Sequence, residues 1–220
     1  RNFRNTQEIL KAAFPATATY PPPQSIVSGT ITKPELSPYT GSKPLAVDCT
    51  GISHEEYINE VLRIIANERV AVVTENSAFL ETLLLRLESN PLFTCVHVQS
   101  NADIDRWKAI PTSPTEIAVF LSSFDAVKGF EFETVIVADA SEARNPKGGL
   151  SYHGFPISGT PEEDLWRSAS RYYAACTRAR NHLIVTYVET PSVFLSNSKN
   201  FFQWIKGEDQ QLLHAITGKP

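Results

Sequence analysis

The stretch RYYAACTRAR, residues 171–180, places arginines where a helix is predicted to end and a strand to begin. Arg167, Arg171 and Arg178 recur at spacings of four and seven, so they fall on one line along a helix. No acid stands between the three arginines on this line, so no intervening acid pairs with them along it. Because guanidinium groups bind phosphate oxygens in a bidentate way, the line predicts anion recognition. The alternative is a basic face that is simply solvated, and this helix alone does not decide between the two.

The helix that carries these arginines is predicted from its two faces and from its start. The segment Thr160-Pro161-Glu162-Glu163 combines a capping box with proline at the first helical position. An apolar stripe follows on the face opposite the arginines, and its spacings of four, three and four predict that it is buried. The stripe consists of Leu165, Ala169, Tyr172 and Cys176. The segment NHLIVTYV, residues 181–188, then predicts the last clear strand of the chain.

Further upstream, apolar strands alternate with amphipathic helices. The segments PLAVDCT, RVAVVT, FTCVHVQ, EIAVFLSS and FETVIVADA predict strands. SHEEYINEVLRIIAN predicts a helix that opens with a capping box of Ser53 and Glu56. NSAFLETLLLRLES predicts a second helix, and residues 1–14 predict a shorter one. This alternation predicts an α/β fold, a mostly parallel sheet with helices on both faces. We expect a single domain over 1–220, with an extended proline-rich connection over 15–44 and a glycine-rich loop over 141–160.

Composition excludes several classes of function. Hydrophobic residues make up 42% and charged residues 20%, as in an ordinary globular protein, and no apolar run could cross a membrane. The net charge of −4 argues against a broad basic nucleic-acid-binding surface. The three scattered cysteines predict reduced thiols and a cytoplasmic location, and the five histidines show no metal-ligand spacing. Because the sequence has no methionine, we expect it to be a fragment of a longer protein.

Three segments together resemble the second, C-terminal RecA-like domain of UvrD/Rep-type superfamily 1 helicases. NFRNTQEI, residues 2–9, is similar to the fourth motif of that family, commonly Asn-Tyr-Arg-Ser-Thr ahead of a helix. SSFDAVKGFEF, residues 122–132, resembles the fifth, commonly Thr-x-His-x-x-Lys-Gly-Leu-Glu-Phe. RYYAACTRARNHLIV, residues 171–185, resembles the sixth, commonly ending Tyr-Val-Ala-x-Thr-Arg-Ala. The resemblance covers nearly the whole chain and implies a RecA-like fold.

The resemblance implies a role for each matching residue. Arg4 and Arg178 look like the two arginines that reach the γ-phosphate of ATP, where negative charge develops during phosphoryl transfer. Phe3 matches the aromatic residue that stacks on adenine, and Glu131 matches the carboxylate that binds the ribose. Gly129 has no Cβ, which lets its backbone approach the nucleotide closely. Three alternatives stay open. Phe3 could staple the first helix, and Glu131 could be a solvated strand residue. Lys128, which matches the lysine of the fifth motif, could fix its loop and touch no phosphate.

The resemblance also implies a nucleic-acid track, with single-stranded or partly duplex DNA as the partner and RNA not excluded. Ser123 matches a hydroxyl that contacts a phosphate of the nucleic acid. Phe194 matches an aromatic residue on which a base can stack, although it could equally belong to the core. Asp125 stands where the family usually has histidine, and a carboxylate there would repel phosphate. The helical insertion that often separates the fourth and fifth motifs has no room, since we expect a short connection over 99–114.

The chain lacks the parts that would hold ATP by itself. No glycine-rich phosphate loop ending Gly-Lys-[Ser/Thr] occurs, and neither does an acidic pair for magnesium; Asp139 reads instead as a turn residue at a strand end. The resemblance therefore implies one motor half of an ATP-dependent helicase, with ATP and Mg²⁺ bound mainly by an N-terminal RecA-like domain of the same protein. We expect residues 1–220 alone to hydrolyse no ATP.

Two other interpretations remain open at this point. The chain could be a degenerate RecA-like module that binds nucleic acid or acts as a scaffold without catalysis. It could also be a flavodoxin-like or other small α/β domain with a coincidental basic helix. The flavodoxin-like alternative predicts no convergence of Arg4, Glu131 and Arg178, whereas the helicase interpretation predicts that they gather at one edge of the sheet.

Overall fold

The computed structural model describes residues 5–23, 37–65, 69–111, 116–144, 151–152, 155–156 and 161–209. Its first half contains α1 (Gln7–Thr19), β1 (Leu45–Asp48), α2 (His54–Ile64), β2 (Arg69–Val73), α3 (Ser77–Glu88), β3 (Phe93–His97), α4 (Asn101–Ala109) and β4 (Ile117–Ser122). Its second half contains β5 (Phe132–Val137), β6 (Ser151–Tyr152), β7 (Phe155–Pro156), α5 (Pro161–Cys176), β8 (Ala179–Tyr187), α6 (Val193–Asn197), a 3-10 turn (Lys199–Phe201) and β9 (Gln203–Lys206).

Seven strands form one parallel sheet in the order β3-β4-β2-β5-β8-β1-β9. The predicted α/β fold with a parallel sheet is therefore confirmed. The central strands β2 and β5 are almost wholly buried, which explains their continuous runs of Val and Ile. Because all seven strands run the same way, the sheet has one end at which every strand begins and one at which every strand finishes. We call these the amino end and the carboxyl end of the sheet.

Helices cover both faces of the sheet, as predicted. One face packs against α1, α5 and α6, with Tyr172, Ala169 and Phe120 among its buried residues. The other face packs against α2 and α3 through Ile58, Leu62, Leu83 and their neighbours. The apolar stripe of α5 is confirmed, because Ala169, Tyr172 and Cys176 are fully buried and Leu165 packs against the same core.

Local signals set where several helices begin. Ser53 precedes α2, and its hydroxyl accepts a hydrogen bond from the Glu56 N–H at 3.3 Å, as the sequence predicted. The return bond of the predicted capping box is not seen there, and the Glu56 carboxylate pairs with Arg86 of α3. A complete capping box forms at Ser100 and Asp103, ahead of α4.

The prediction of an extended connection over 15–44 is wrong at its start. α1 continues through Pro15 to Thr19, and four of its alanine and isoleucine side chains are fully buried. Proline removes one backbone N–H but leaves the following turn intact, so burial of this face outweighs the lost hydrogen bond. Residues 20–23 and 37–44 form no regular element, whereas 24–36 lie outside the described residues.

Three further expectations need correction. Residues 99–114 are more than a short connection, because α4 occupies Asn101–Ala109 and buries Trp107 against Phe120 and Phe132. Within the predicted loop 141–160, β6 and β7 pair in antiparallel fashion. A strand also follows the last predicted one, since β9 adds to the sheet edge beside β1. In β9 only Ile205 is buried, so this edge strand has a weaker apolar signal than the central strands.

Among the residues that the structure describes, no helix is both long and apolar enough to pass through a lipid bilayer.

The course of α1 through Pro15 generates a first prediction. Pro15→Ala restores an N–H that can bond the carbonyl four residues earlier, so we expect the free energy of unfolding to rise by about 1 kcal/mol. Pro38→Ala is the control, because Pro38 is exposed and non-helical and its loss should lower stability by a few tenths of a kcal/mol. Urea denaturation followed by circular dichroism measures both. A clear loss of stability in Pro15→Ala would contradict the explanation.

Candidate functional site

Arg178 lies at the junction between α5 and β8, at the amino end of the sheet. α5 ends at Cys176, and the Arg178 N–H donates to the Ala175 carbonyl at 3.1 Å, which closes the last turn. The guanidinium folds back over the helix, where Nε donates to the Ala174 carbonyl at 2.9 Å and Nη2 lies 3.4 Å from the Thr177 hydroxyl. A cation at this position also complements the partial negative charge of a helix C-terminus. The junction therefore holds a half-buried arginine with neutral partners.

The amino-terminal segment is fastened to this same junction. The buried Asn5 side chain donates from Nδ2 to the Thr177 carbonyl at 2.8 Å and also to the Ala179 carbonyl. These two carbonyls flank Arg178. Thr6 then caps α1 by accepting from the Ile9 N–H, so the chain enters the helix directly after this contact. Sequence reasoning did not single out Asn5, although it stands beside Arg4 inside the quoted motif.

Phe3 and Arg4, the predicted adenine-stacking residue and the predicted first arginine finger, lie outside the described residues. The prediction that Arg4, Glu131 and Arg178 gather at one edge is therefore tested only for the latter two.

Glu131 and Gly129 reach the amino end from a neighbouring strand. β5 begins directly after Glu131, and the Phe132 N–H donates to the Arg178 carbonyl at 3.0 Å. Phe132 also aligns with Ala179 in the pairing of β5 with β8. Glu131 and Gly129 are exposed, and Gly129 has a φ of 87°, a left-handed conformation that favours glycine. Glu131 and Arg178 thus both lie at the amino end of the sheet, and the helicase interpretation predicted that they would lie together.

The loop from Ser123 to Glu131 connects the two ends of the sheet. It leaves β4 at the carboxyl end and delivers the chain to the start of β5 at the amino end, past the intervening strand β2. Phe124 and Val127 anchor it to the core, with Phe124 1% and Val127 0% exposed. Half-buried Ser123 therefore lies at the opposite end of the sheet from Glu131 and Arg178.

Arg171 joins this loop to α5. Its Nη2 lies 2.9 Å from Glu75 Oε2 and 2.7 Å from Asp125 Oδ2, and its side chain is only 20% exposed. Glu75 Oε1 also accepts the Phe124 N–H at 3.3 Å, while Lys128 Nζ lies 2.7 Å from Asp125 Oδ1. We call Glu75, Asp125, Lys128 and Arg171 the ion-pair network. It is a connection between β2, the loop and α5 that the sequence analysis did not predict.

The ion-pair network gives Asp125 a role that the sequence left unexplained. Partial burial raises the pKa of the Asp125 carboxyl, but the Lys128 ammonium and the Arg171 guanidinium outweigh it, so its pKa lies below the ordinary value. The expected repulsion of phosphate by Asp125 is thus partly offset by two cations within the protein. A sequence signal existed, since Asp125 replaces a histidine of the resembled motif and Arg171 has no acid beside it on its helix.

The interpretation of the arginine line as a simple solvated face is wrong for Arg171, whose partners are Glu75 and Asp125. Arg167 and Arg178 are half-buried, and Nη1 of Arg167 is buried without a hydrogen-bond partner. Arg180, the next arginine after Arg178, is exposed and lies 3.5 Å from Glu133 of β5. The arginines of this segment therefore occupy different environments.

Phe194 does not fit the predicted base-stacking role. Its ring is 0% exposed and packs against Tyr20 and Tyr172, with ring centroids 5.7 Å apart in each pair. A base can stack only on an exposed ring face, and here both faces are occupied by the protein core. The resemblance failed at this position because the segment after β8 turns inward as α6, which packs on α1.

Asp139 organises the carboxyl end of the central strands. It has a φ of 57°, accepts from Asn76 Nδ2 at 2.8 Å and from the Ser141 hydroxyl at 2.7 Å, and so confirms the predicted turn at a strand end. Buried His54 lies nearby, with Nε2 2.6 Å from the Thr186 hydroxyl. Burial lowers the pKa of His54, and the charge of Asp139 only partly opposes this shift.

The cysteines show no sign of a reactive or metal-binding site. Burial raises the pKa of Cys49, Cys95 and Cys176 to about 12, so they stay protonated thiols at neutral pH. Within the described ranges, no three His, Cys, Asp or Glu side chains cluster as metal ligands would.

Comparison with known proteins gives the fold. No protein-family model matches the sequence, and no curated protein matches it. Among solved structures, the chain is similar to the C-terminal domain of a possible DNA helicase from Lactobacillus plantarum, with a TM-score of 0.58 and 16% identity over 93% of this chain and 99% of that one.

Two structures of the DEAD-box protein Dbp5 are also similar. Its C-terminal domain alone gives a TM-score of 0.54 at 11% identity, over 81% of this chain and 98% of that one. Saccharomyces cerevisiae Dbp5 bound to RNA and ADP BeF3 gives 0.55 at 13% identity, over 89% of this chain and half of that one. The chain therefore has the RecA-like fold of helicase C-terminal domains, as the resemblance implied.

The burial of Phe194 generates a second prediction. Phe194→Ala should lower the free energy of unfolding by about 3–5 kcal/mol, since it empties a fully buried aromatic site. Phe201→Ala is the matched control, because Phe201 is 39% exposed and should cost less than about 1 kcal/mol. Chemical denaturation measures both variants. A Phe194→Ala protein with native stability and weakened binding of single-stranded DNA would restore the stacking role.

The environment of His54 generates a third prediction. Because its folded-state pKa lies below 6.5, the unfolded chain binds more protons as the pH falls below that value, and stability declines. Between pH 7.5 and 5.5 we expect the wild type to lose about 1 kcal/mol more than His54→Gln, which cannot titrate. Urea denaturation at both pH values measures the difference, and from pH 7.5 to 8.5 the two proteins should change in parallel. Equal losses down to pH 5.5 would contradict the assignment.

Proposed function

We propose that this chain is the C-terminal motor half of an ATP-dependent DNA helicase or translocase of the UvrD/Rep type in superfamily 1. In this proposal Arg4 and Arg178 are arginine fingers that complete an ATP site held mainly by an N-terminal RecA-like domain. The fold supports the coarser part of the proposal, a helicase C-terminal domain. The three quoted motifs support the finer part.

The observation that carries the proposal is the attachment of Asn5 to the carbonyls on either side of Arg178. It joins two of the motifs through Asn5 and Thr177, which are 172 positions apart in the sequence. Arg4 precedes Asn5 directly in the sequence. Glu131 and Gly129 reach the same edge through the pairing of Phe132 with Ala179.

These residues suit one wall of a nucleotide site. A guanidinium, an exposed carboxylate and an exposed glycine backbone are the groups that bind phosphate, ribose hydroxyl and a closely approaching ligand. The sequence has no phosphate loop, so ATP and its Mg²⁺ require a second wall on another domain. When bound there, ATP supplies the γ-phosphoryl group whose transfer to water drives the motor.

Arg178 is suited to change partners between two states. Here its guanidinium donates to the neutral Ala174 carbonyl and approaches the Thr177 hydroxyl. Neither of these partners is a carboxylate, so neither would be left as an unpaired charge if Arg178 moved. A γ-phosphate at the domain interface offers it charge-assisted bidentate bonds, which are stronger than those to a carbonyl. The contact between Arg178 and the γ-phosphate forms only when the two domains are closed, so it stabilises the closed state. Once the γ-phosphate is lost, that contact is gone and the open state is favoured. Phe3 and Glu131 orient adenine and ribose in this arrangement.

Ser123 contributes to the nucleic-acid track at the carboxyl end of β4. We favour single-stranded or partly duplex DNA on the strength of the motifs, and RNA is the alternative to be compared in the same assay. The stacking contribution first assigned to Phe194 is not part of the proposal, because that ring is buried.

The fourth prediction concerns Arg178. In the protein that joins this chain to its ATP-binding domain, Arg178→Ala should reduce ATP turnover by about 10³-fold and leave ATP binding largely intact. Arg180→Ala is the matched control, two residues further on and exposed, and should stay within about threefold of the wild type. Steady-state hydrolysis and equilibrium nucleotide binding measure the two effects.

Near-normal turnover in Arg178→Ala would contradict the finger assignment. ATP hydrolysis by the isolated chain, lost on mutation of Arg178, would contradict the need for a second domain. If the natural protein contains no ATP-binding domain, the non-catalytic binding or scaffolding module is the better interpretation.

A further inference from the structure

We propose that Arg171 is a positioning residue that couples the loop Ser123–Lys128 to α5, and so lets ATP turnover respond to nucleic acid. The inference rests on the proposed function, since it assigns Arg178 to the ATP site and Ser123 to the nucleic-acid track. It names a residue and a contact that the three motifs do not assign.

One guanidinium nitrogen of Arg171 bridges two parts of the chain. Nη2 lies 2.9 Å from Glu75, directly after Thr74 at the carboxyl end of β2, and 2.7 Å from Asp125 in the loop. The two acids differ in exposure to solvent: Glu75 is 10% exposed, whereas Asp125 is 45% exposed. Less solvent screening makes the Glu75 contact the stronger anchor of the two. Arg171 is therefore fixed to the sheet by Glu75 and to the loop by Asp125.

The loop is also held to Glu75 directly. The Phe124 N–H donates to Glu75 Oε1 at 3.3 Å, and Arg171 Nη2 lies 3.0 Å from the same oxygen. Any shift of Ser123 or Asp125 thus changes contacts that Arg171 shares. Because the side chain of Phe124 is buried, the loop has little freedom to move without disturbing them.

The helix transmits the position of Arg171 to Arg178. Arg171 lies five positions before the end of α5 at Cys176, about 7.5 Å along the helix axis, and Arg178 follows two residues later. The last turn is continuous, since the guanidinium of Arg178 bonds the Ala174 carbonyl of that helix. A displacement of Arg171 therefore moves the last turn of α5, whose Ala174 carbonyl binds the Arg178 guanidinium.

Nucleic acid has a physical means of acting on this connection. A phosphate bound beside Ser123 attracts Lys128 and repels Asp125, and these two groups are 2.7 Å apart in the structure. Weakening of their pair leaves Asp125 more dependent on Arg171. The contact between Asp125 and Arg171 then depends on whether nucleic acid is bound beside Ser123.

The first test uses this chain alone and requires no activity. Arg171→Met keeps the length of the side chain and removes its charge, so we expect amide exchange of residues 123–128 to accelerate at least tenfold. Arg86→Met removes an arginine that pairs with Glu56 on the other face of the sheet, and should leave that segment unchanged. Unchanged exchange in Arg171→Met would overturn the positioning role, whatever the motor does.

The second test uses the protein that joins this chain to its ATP-binding domain. Arg171→Met should keep the turnover measured without DNA within about threefold and lose most of its stimulation by single-stranded DNA. Arg171→Lys, which can still pair with one acid, should restore part of that stimulation. Arg86→Met should respond to DNA like the wild type. Full stimulation in Arg171→Met would overturn the coupling.

The double variant Glu75→Gln/Arg171→Met separates a folding defect from a loss of coupling. It removes both charges of the Glu75–Arg171 pair, so neither is left without the other. It should be more stable than Arg171→Met and still lack stimulation; recovery of stimulation would overturn the proposal. If the wild-type protein hydrolyses no ATP with or without DNA, the proposed function fails, and the exchange result still decides whether Arg171 positions the loop.

Discussion

The organisation of the amino end of the sheet depends on one buried amide. Asn5 donates to the carbonyls of Thr177 and Ala179, which frame Arg178, so the start of the chain and the α5–β8 junction share one geometry. Burial of Asn5 makes these bonds worth keeping, because an unpaired buried amide costs about 1–3 kcal/mol. The two hydrogen bonds of Asn5 therefore fix the start of α1, the start of β8 and the backbone position of Arg178 relative to one another.

The parallel sheet separates the residues proposed for the ATP site from the residue proposed for the nucleic-acid track. Arg178, Gly129 and Glu131 lie at its amino end, whereas Ser123 and Glu75 follow the carboxyl ends of β4 and β2. The loop between β4 and β5 covers this distance in a few residues and is held by buried Phe124 and Val127. Such a loop cannot adjust at one end independently of the other, since the interior beneath it is close-packed. The fold therefore supplies a short physical connection between the two ends.

Sequence predicted best those features that depend on local patterns. The central strands, the Ser53 cap and the buried stripe of α5 all follow from periodicity or from a side chain bonding its own helix end. Prediction failed where distant packing decides, as for Pro15 inside α1 and the weakly apolar strand β9. Phe194 failed for a related reason: the spacing places an aromatic residue after β8, but only the three-dimensional path shows whether its ring faces solvent. The Arg171 contacts were hidden because their acids are 46 and 96 residues away.

The two arginines on one helix differ most in what holds them. Arg171 is paired with two carboxylates and is mostly buried, so moving it would break its contact with the mostly buried Glu75 carboxylate, and breaking a buried ion pair costs several kcal/mol. Arg178 donates to the neutral Ala174 carbonyl, and water or an anion can take the place of that carbonyl. Losing a hydrogen bond of this kind costs at most about 3 kcal/mol. A finger must exchange partners in every cycle, whereas an anchor must not. The environments of the two residues therefore suit the tasks proposed for them: Arg171 within α5 as an anchor, and Arg178 just after the end of α5 as an arginine finger.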